Sequence, residues 1–220
     1  MPNVDLILGA EPSRKRAVRT EPTQRRSSQR LDALLDAAAE IVDETGFERL
    51  TTQMVAERAG ASIGTVYRYF PDRVAVLHAL RERSIRRFRE RVADDMERVE
   101  LSTWWDVVDV ALDACAALYR GEPGFSVVHA GRRETADGDV EPEFAHRMAQ
   151  LIEAEFELDS DGAELRFRLG VAIELGDALI SRAFERDAEG DVRYLAEAKR
   201  LVHDYLAEHL GHVRTASNAA

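Results

Sequence analysis

Apolar residues over positions 50–77 recur at helical spacing, with a break at Gly60. This pattern predicts two short helices joined by a tight turn. The first helix follows two capping candidates, Thr51 and Thr52. It ends at Gly60, where a positive φ costs glycine little. Its apolar face is formed by Met54, Val55, Ala56 and Ala59.

The second helix of the pair, over residues 63–70, combines small and phosphate-binding side chains. Ser62 stands at its N-cap position, Pro71 ends it, and Asp72 can cap the helix that follows. Its polar or small positions are Gly64, Thr65, Tyr67, Arg68 and Tyr69. Small residues allow close backbone approach, and tyrosine and arginine donate hydrogen bonds to phosphate, so this surface is typical of a recognition helix in a DNA major groove. The alternative, a buried helix pair, is disfavoured because three such polar residues in succession cannot all be buried.

The spacing of apolar residues in the rest of the chain predicts longer amphipathic helices. The expected ranges are 72–100, 102–120, 124–131, 142–158, 161–187 and 194–210. We find no internal repeat and no convincing strand alternation. The sequence therefore predicts an all-α fold of about nine helices.

The predicted helix over 161–187 is apolar on more than one face. Its broad stripe consists of Leu165, Leu169, Ala172, Ile173, Gly176, Leu179, Ile180 and Ala183. A second face consists of Phe167, Val171 and Ala178, with Glu174 at the same spacing. A helix that is apolar all round must be covered on both sides, and a partner subunit is a natural cover. The alternative is that this helix and the last one are simply core.

Charge divides the chain into two parts. The total formal net charge is −11, made up of +4 over residues 1–92 and −15 over residues 93–220. The negative charge of residues 93–220 is repelled by the DNA phosphates, so residues 1–92 are the part that can approach DNA. Ordinary surface charge would give the same asymmetry, so charge alone does not establish DNA binding.

The first 27 residues show little periodicity and carry several arginines. We expect residues 1–27 to form a disordered basic arm, which either lies along DNA phosphates or is a solvated tail without a role. The predicted domains that follow are a helix-turn-helix domain over 28–75, a helical domain over 76–214 and a disordered tail over 215–220.

The stretch over residues 30–80 closely resembles the helix-turn-helix of the TetR family of bacterial transcriptional regulators. The matching residues are Thr51, Thr52, Ala56, Ala59–Ser62, Gly64–Phe70, Asp72, Arg73 and Leu77, preceded by Leu34–Ala38 and Gly46–Phe47. The resemblance implies an N-terminal three-helix DNA-binding domain followed by a helical domain for ligand binding and dimerisation. It also implies a homodimer that binds a double-stranded DNA operator. The single Cys115 fits a reducing, cytoplasmic setting, which we expect for this protein.

The resemblance implies a role for particular residues as well. The expected DNA-binding residues are Thr52, Gln53, Ser62, Ile63, Gly64, Thr65, Tyr67, Arg68, Tyr69 and Arg73, whereas Val66 and Phe70 should be core. The two final helices of each subunit are expected to pair at the dimer interface through Leu165, Leu169, Ile173, Gly176, Leu179, Ile180, Leu201, Val202 and Tyr205.

An effector pocket is expected in the acidic part of the chain, residues 93–220, because apolar spaces between helices suit small ligands. Its candidate lining is Trp104, Trp105, Tyr119, Phe125, His129, Phe144, Met148, Phe167, Val171 and Glu174. Aromatic residues at helical spacing are more often plain core. A buried Glu174 would need a partner, either a cationic ligand or an arginine at a subunit interface.

Several other classes of function are disfavoured. No apolar run approaches the roughly 20 residues of a membrane helix, and the single Cys115 cannot form an intrachain disulfide. The histidines lack zinc-site spacing, and no catalytic motif is present, so we expect no metal, no cofactor and no enzyme activity. We therefore expect a repressor released from a near-palindromic operator by an unidentified small-molecule effector. The alternative is a DNA-binding architectural or interaction protein of the same fold that needs no ligand.

Overall fold

A computed structural model describes residues 2–9, 22–126, 140–157, 161–210 and 214–215. Within them the helices are α1 (Asp5–Leu8), α2 (Pro22–Thr45), α3 (Thr52–Arg58), α4 (Ile63–Tyr69), α5 (Arg73–Met96), α6 (Trp104–Gly121), α7 (Val140–Glu155), α8 (Gly162–Phe184) and α9 (Val192–Leu210), with a 3₁₀ turn at Phe47–Arg49. Two-residue strands, β1 (Phe156–Glu157) and β2 (Arg214–Thr215), pair in antiparallel fashion. The expected all-α fold is confirmed, and the described residues contain nine α-helices.

The chain divides into two compact units, and the division falls inside helix α5. Among the described residues, the small unit comprises 22–87 and 121–126, and the large unit comprises 2–9, 88–120, 140–157, 161–210 and 214–215. The boundary expected near residue 75 is therefore displaced to Arg87, and the short segment after α6 belongs with the small unit. None of the described helices is long and apolar enough to cross a membrane.

The small unit is built around one apolar core. Helix α2 supplies the largest share of the buried side chains, and α3, α4 and α5 close over them. The fully buried members include Leu34, Ile41, Val42, Leu50, Val55, Val66, Val76 and Leu80. Because α3 and α4 are only seven residues long, this shared burial, rather than their own propensity, holds them in place.

An ion-pair network fastens the segment after α6 to helices α2 and α5 in the small unit. Arg83 is only 3% exposed and donates a hydrogen bond of 2.7 Å to Asp36 Oδ1. Burial lowers the pKa of the Arg83 guanidinium, and the neighbouring Arg87 adds to that effect. Arg87 in turn pairs with Glu122. Gly124 completes the contact, because its φ of +73° and the approach of an added Cβ to within 2.8 Å of a backbone oxygen require glycine.

The large unit packs α6, α7, α8 and α9 around a second core. Leu151, Ile152, Leu165, Leu169, Val202 and Leu206 are among its fully buried members. Gly176 lets α8 approach its neighbours closely, since an added Cβ would lie 2.8 Å from Leu112 Cδ2. Lys199 lies 2.8 Å from a carboxylate oxygen of both Asp109 and Asp113, which ties α9 to α6.

The expectation of a disordered arm over residues 1–27 is wrong at both ends. Residues 2–9 include helix α1, whose Ile7 is fully buried in the large unit, and α2 begins at Pro22 rather than near residue 28. Proline suits the first position of a helix because its missing N–H would have had no partner there. Residues 10–21 lie outside the described residues. Thr215, expected in the tail, lies in β2.

Candidate nucleic-acid interface

Helices α3 and α4 form a capped helix-turn-helix. Thr51 caps α3 by accepting a hydrogen bond of 3.1 Å from the Met54 backbone N–H. Ser62 caps α4 by accepting one of 3.2 Å from the Thr65 N–H. Gly60 forms the turn with φ of +58°. Three local signals in the sequence therefore predict this turn correctly.

The core side of α4 is as expected. Val66 is fully buried and Phe70 is 3% exposed. Both residues pack in the small-unit core with side chains from α2, α3 and α5. The opposite side of α4 is therefore exposed to solvent. It is the face of this helix that is available to bind a partner.

The structure brings the ten expected DNA-binding residues onto α3, α4, their connecting turn and the start of α5. The exposed members are Gln53, Ser62, Ile63, Gly64, Tyr67, Arg68 and Arg73. The half-buried members are Thr52, Thr65 and Tyr69. Tyr67 is 54% exposed and Ile63 36%, although large apolar surfaces are usually buried. Contact of these residues with DNA stays a prediction.

Gly64 is not required by the fold of its own chain. An added Cβ would meet only Ser62 Oγ, at 3.9 Å, which is ordinary van der Waals contact. Glycine inside a helix is destabilising by roughly 0.5–1 kcal/mol relative to alanine. A close approach by a partner backbone would explain why this position carries no side chain.

Some of the expected contact residues are already held in place by polar contacts. Arg73 Nη1 donates a hydrogen bond of 2.9 Å to the Glu48 carbonyl. The hydroxyls of Tyr69 and Ser27 lie 3.0 Å apart. Sequence analysis missed the second contact because it began α2 too late. Tyr67 and Arg68, in contrast, pair with no other side chain in the described part of the chain.

An ion-pair clamp also missed by the sequence analysis holds α3 against α2. Arg58, in the last turn of α3, donates two hydrogen bonds, of 2.9 and 2.7 Å, to the Glu44 carboxylate. It also donates one of 3.1 Å to Glu40. These bonds lower the pKa of Glu44 and raise that of Arg58. Glu40 and Glu44 are four residues apart on one face of α2, which is the signal that could have indicated such a clamp.

We predict that Thr51→Ala lowers the free energy of unfolding by about 1 kcal/mol, because it removes the N-cap of α3. Urea denaturation of the wild-type and variant chains measures this difference. Thr51→Ser keeps the accepting hydroxyl and should restore most of the loss. An equal loss in both variants would show that the cap hydrogen bond to Met54 contributes nothing.

The expected effector-pocket residues do not form a single set. Trp104, Phe144 and Met148 are buried in the large-unit core, with Trp105 packed against them. Tyr119 stacks on Phe184 with 5.0 Å between ring centroids. Phe125 belongs to the small unit, and His129 lies outside the described residues.

Two of the pocket assignments need correction. Phe167 is 60% exposed and Glu174 is also exposed, so neither is enclosed within its own subunit. Val171, between them on the same face of α8, is half-buried. The cause is that α8 buries its other apolar face in the core. Because its sequence is apolar on two faces, the pattern alone did not show which face is buried.

The residues expected at the dimer interface are buried or half-buried in their own chain, and their role in dimerisation stays a prediction. Five of these residues are buried in the core of their own chain: Leu165, Leu169, Gly176, Ile180 and Val202. The other four are half-buried: Ile173, Leu179, Leu201 and Tyr205. The exposed apolar face of α8 is the one expected to line the pocket.

The described residues contain no group of three or more histidine, cysteine or acidic side chains that could hold a metal ion. Cys115 is half-buried in α6. The described surface carries hydrogen-bond donors and small residues on a helix-turn-helix, the arrangement found in DNA-binding proteins.

Comparisons with known proteins agree with this class. The family model for "Bacterial regulatory proteins, tetR family" matches residues 34–80, and that for "Tetracyclin repressor-like, C-terminal domain" matches residues 102–210. A solved TetR-family transcriptional regulator from Streptomyces coelicolor is 33% identical, with a TM-score of 0.72 over 84% of this chain and 100% of that one. The chain belongs to the TetR family of transcriptional regulators, a family of DNA-binding proteins and not of enzymes.

Curated relatives share shorter regions. The fatty acid metabolism regulator protein of Bacillus subtilis (strain 168) is 26% identical over 95 residues, 43% of this chain and 48% of that protein. The repressor KstR of Rhodococcus jostii (strain RHA1) is 36% identical over 63 residues, 29% of this chain and 30% of that protein. The chain thus spans less than half the length of these two relatives. The nucleoid occlusion factor SlmA of Aliivibrio fischeri (strain MJ11) is 23% identical over 75% of this chain and 83% of its own length.

Proposed function

We propose that this regulator is a homodimeric repressor that binds a near-palindromic operator and is released from it by a small-molecule effector. The observation that carries the proposal is the exposed face of α4, where Gly64 and Ile63 stand beside Tyr67 and Arg68, neither of which pairs with another side chain that the structure describes. Such a face suits a major groove, because the small residue allows close approach while the polar side chains reach phosphates or base edges.

The dimer is proposed to form through the outer face of α8. Phe167, Val171 and Ala178 share this face, and Phe167 is one of the most exposed large apolar side chains described. Two α8 helices related by a twofold axis would cover each other's Phe167. A twofold dimer reads two half-sites one helical turn, or a multiple of it, apart, about 34–36 Å per turn.

Charge supports the orientation of the two units towards DNA. The first 92 residues carry a net +4 and the remainder −15. The acidic part is repelled by phosphate, so the helix-turn-helix part approaches DNA first. Salt-sensitive binding is the expected consequence.

We propose that the effect of effector binding in the large unit is transmitted to the small unit through helix α5. This helix is shared by both units, with the division between Arg87 and Phe88. A ligand that prefers one arrangement of the large unit would therefore bias the small unit through a continuous helix. A coupling of about 1–3 kcal/mol is enough to change operator occupancy severalfold.

The first experiment is a mobility shift with the DNA upstream of the protein's own reading frame, followed by titration of small molecules. A site-specific, salt-sensitive complex that a ligand dissolves supports the repressor. A specific complex that no ligand disturbs would favour the alternative below. The absence of a specific complex on any genomic fragment would contradict the proposed function.

We predict different effects for Tyr67→Phe and Arg68→Ala. Removing the Arg68 charge should lower the slope of log K against log salt by about 0.9, the value for one phosphate contact. Tyr67→Phe removes a neutral hydroxyl and should weaken binding to all operator variants equally, without changing that slope. Fluorescence anisotropy over a range of salt concentrations measures both effects. A loss confined to one operator variant would instead assign Tyr67 to base readout.

A second candidate function is DNA binding without an effector. The match to the nucleoid occlusion factor extends over three quarters of this chain, farther than the matches to the fatty acid metabolism regulator protein and the repressor KstR. In that case the large unit would serve dimerisation or contact with another protein. Unchanged DNA affinity across a metabolite library, together with specific DNA binding, would favour this candidate.

A further inference from the structure

The hydroxyls of Ser27 and Tyr69 join the start of helix α2 to the end of helix α4. Ser27 lies in the second turn of α2, and Tyr69 is the last residue of α4. Their side-chain oxygens are 3.0 Å apart at the protein surface. The Tyr69 hydroxyl also lies 3.4 Å from the Ser27 backbone carbonyl, to which it can donate. The contact lies within the small unit and links positions 42 residues apart in the sequence.

The orientation of Ser27 towards α4 follows from the helical period of α2. Leu31 and Leu34 lie four and seven residues after Ser27 and therefore share its face of the helix. Leu34 is fully buried in the small-unit core, and Leu31 packs against that core. The face of α2 that enters the core thus carries Ser27 at its outer end, where it contacts Tyr69.

The hydroxyl of Tyr69 is held more firmly than that of Tyr67. Tyr69 is half-buried, and its ring packs against the small-unit core. Tyr67 is 54% exposed and pairs with no other side chain that the structure describes. The packed ring and Ser27 together fix the position of the Tyr69 hydroxyl in the free protein. A donor that is fixed in advance loses less conformational entropy on binding than a free side chain does.

The two hydroxyls carry two protons, and the bond between them uses only one. When Ser27 donates to Tyr69, the Tyr69 proton is left for another acceptor. The Ser27 carbonyl, at 3.4 Å, is too distant to hold it strongly, because hydrogen bonds between oxygens usually span about 2.5–3.0 Å. An anionic oxygen would bind this proton more tightly, and the bond from Ser27 polarises the Tyr69 hydroxyl as a donor. The pair therefore offers one hydrogen bond to an anion.

Arg30 places positive charge near this hydroxyl pair. It lies one helical turn after Ser27 on α2, and it is exposed. Within the described part of the chain no carboxylate pairs with it. A positive charge beside a hydroxyl donor suits a phosphate of the DNA backbone, which accepts more of the hydrogen bonds in protein–DNA complexes than the bases do.

We propose that Ser27 is a positioning residue of the DNA interface: it orients the Tyr69 hydroxyl, which then donates to a backbone phosphate beside the half-site. The inference rests on the proposed function, because the pair acts on DNA binding. Ser27 precedes residues 34–80, which the family model matches, so family membership alone does not supply this role. The start of α2 thereby belongs to the DNA-facing surface together with α3 and α4.

The test is a double-mutant cycle on operator affinity with Ser27→Ala, Tyr69→Phe and the double variant. Tyr69→Phe keeps the ring in the core and removes a hydrogen bond to a charged group, so we expect about a 10-fold loss. Ser27→Ala leaves the donor in place without its orienting partner, and we expect about a 5-fold loss. Because Ser27 acts through Tyr69, the double variant should lose about 10-fold, as Tyr69→Phe alone does, and not about 50-fold.

Two further variants separate positioning from other effects of the substitution. Ser27→Thr keeps a hydroxyl at the same position and should restore wild-type affinity. Ser28→Ala makes the same change at the next residue, which is also exposed but does not bond to Tyr69, and it should leave the affinity unchanged. Urea denaturation shows that each variant is folded under the conditions of the binding measurement.

Three results would overturn the positioning role. Full affinity in either single variant would show that the pair does not contact DNA. A loss in the double variant equal to the product of the single losses would make Ser27 and Tyr69 independent of each other. Failure of Ser27→Thr to restore affinity would show that the serine hydroxyl is not what matters. In each of these cases the wild type still binds its operator and the proposed function stands, whereas a wild type without any specific DNA complex would remove both.

Discussion

Replacing Gly64 with leucine is expected to weaken specific operator binding strongly while the protein stays folded. An added Cβ at this position meets only Ser62 Oγ, at 3.9 Å, so the chain itself has room for a side chain. Leucine also has a higher helix propensity than glycine, so the free energy of unfolding should rise slightly. On DNA, the new side chain would keep α4 out of the groove. We expect about a 100-fold loss of affinity, equal to ~2.7 kcal/mol.

Gly121→Leu is the matched control for this variant. Gly121 ends helix α6, and an added Cβ there meets nothing within 4 Å. The control carries the same chemical change at a position not assigned to DNA. Mobility shift and thermal unfolding of both variants separate binding from folding. Full operator affinity in Gly64→Leu would refute the assignment of α4 as the recognition helix.

Local signals predicted the DNA-reading part of the chain well. Caps and helix ends depend on residues within three or four positions of each other, as at Thr51, Gly60 and Ser62. The separation of Val66 and Phe70 from the exposed face of α4 follows from the helical period alone. These features were confirmed because neighbouring residues decide them.

The large unit was predicted less well because its ambiguities are not local. Helix α8 is apolar on two faces, and its sequence does not say which one its own subunit covers. The structure buries Leu165 and Leu169 and exposes Phe167, so the core of the chain itself covers the face that was expected at the dimer interface. The choice depends on how α8 packs against α7 and α9, and the apolar pattern of α8 alone does not show this.

The docked segment at residues 2–9 was missed for a related reason. Its helix α1 is only four residues long, too short for any periodic pattern, and a seven-residue apolar run with one acidic residue has no local signature of docking. Its partners Arg147 and Glu155 are more than 140 positions away. Contacts of this sequence separation become visible only in the folded chain.

Replacing Phe167 with aspartate is expected to dissociate the proposed dimer and, with it, to abolish operator binding. The phenyl group is 60% exposed in the single chain, so an interface that covered it would gain about 1–2 kcal/mol per copy. A twofold interface contains the residue twice, and a buried unpaired carboxylate adds a further cost. The dimer Kd should therefore rise by about 100-fold or more.

Val99→Asp is the matched control, because Val99 is a 45% exposed valine of the same unit that lies outside α8 and α9. Sedimentation equilibrium gives the dimer Kd of both variants, and mobility shift gives their operator affinity. Because one subunit carries one recognition helix, a monomer would contact a single half-site and lose the gain from linking two. Loss of the dimer in Phe167→Asp together with undiminished operator affinity would contradict recognition by a dimer. An intact dimer in that variant would place the interface on another surface of the subunit.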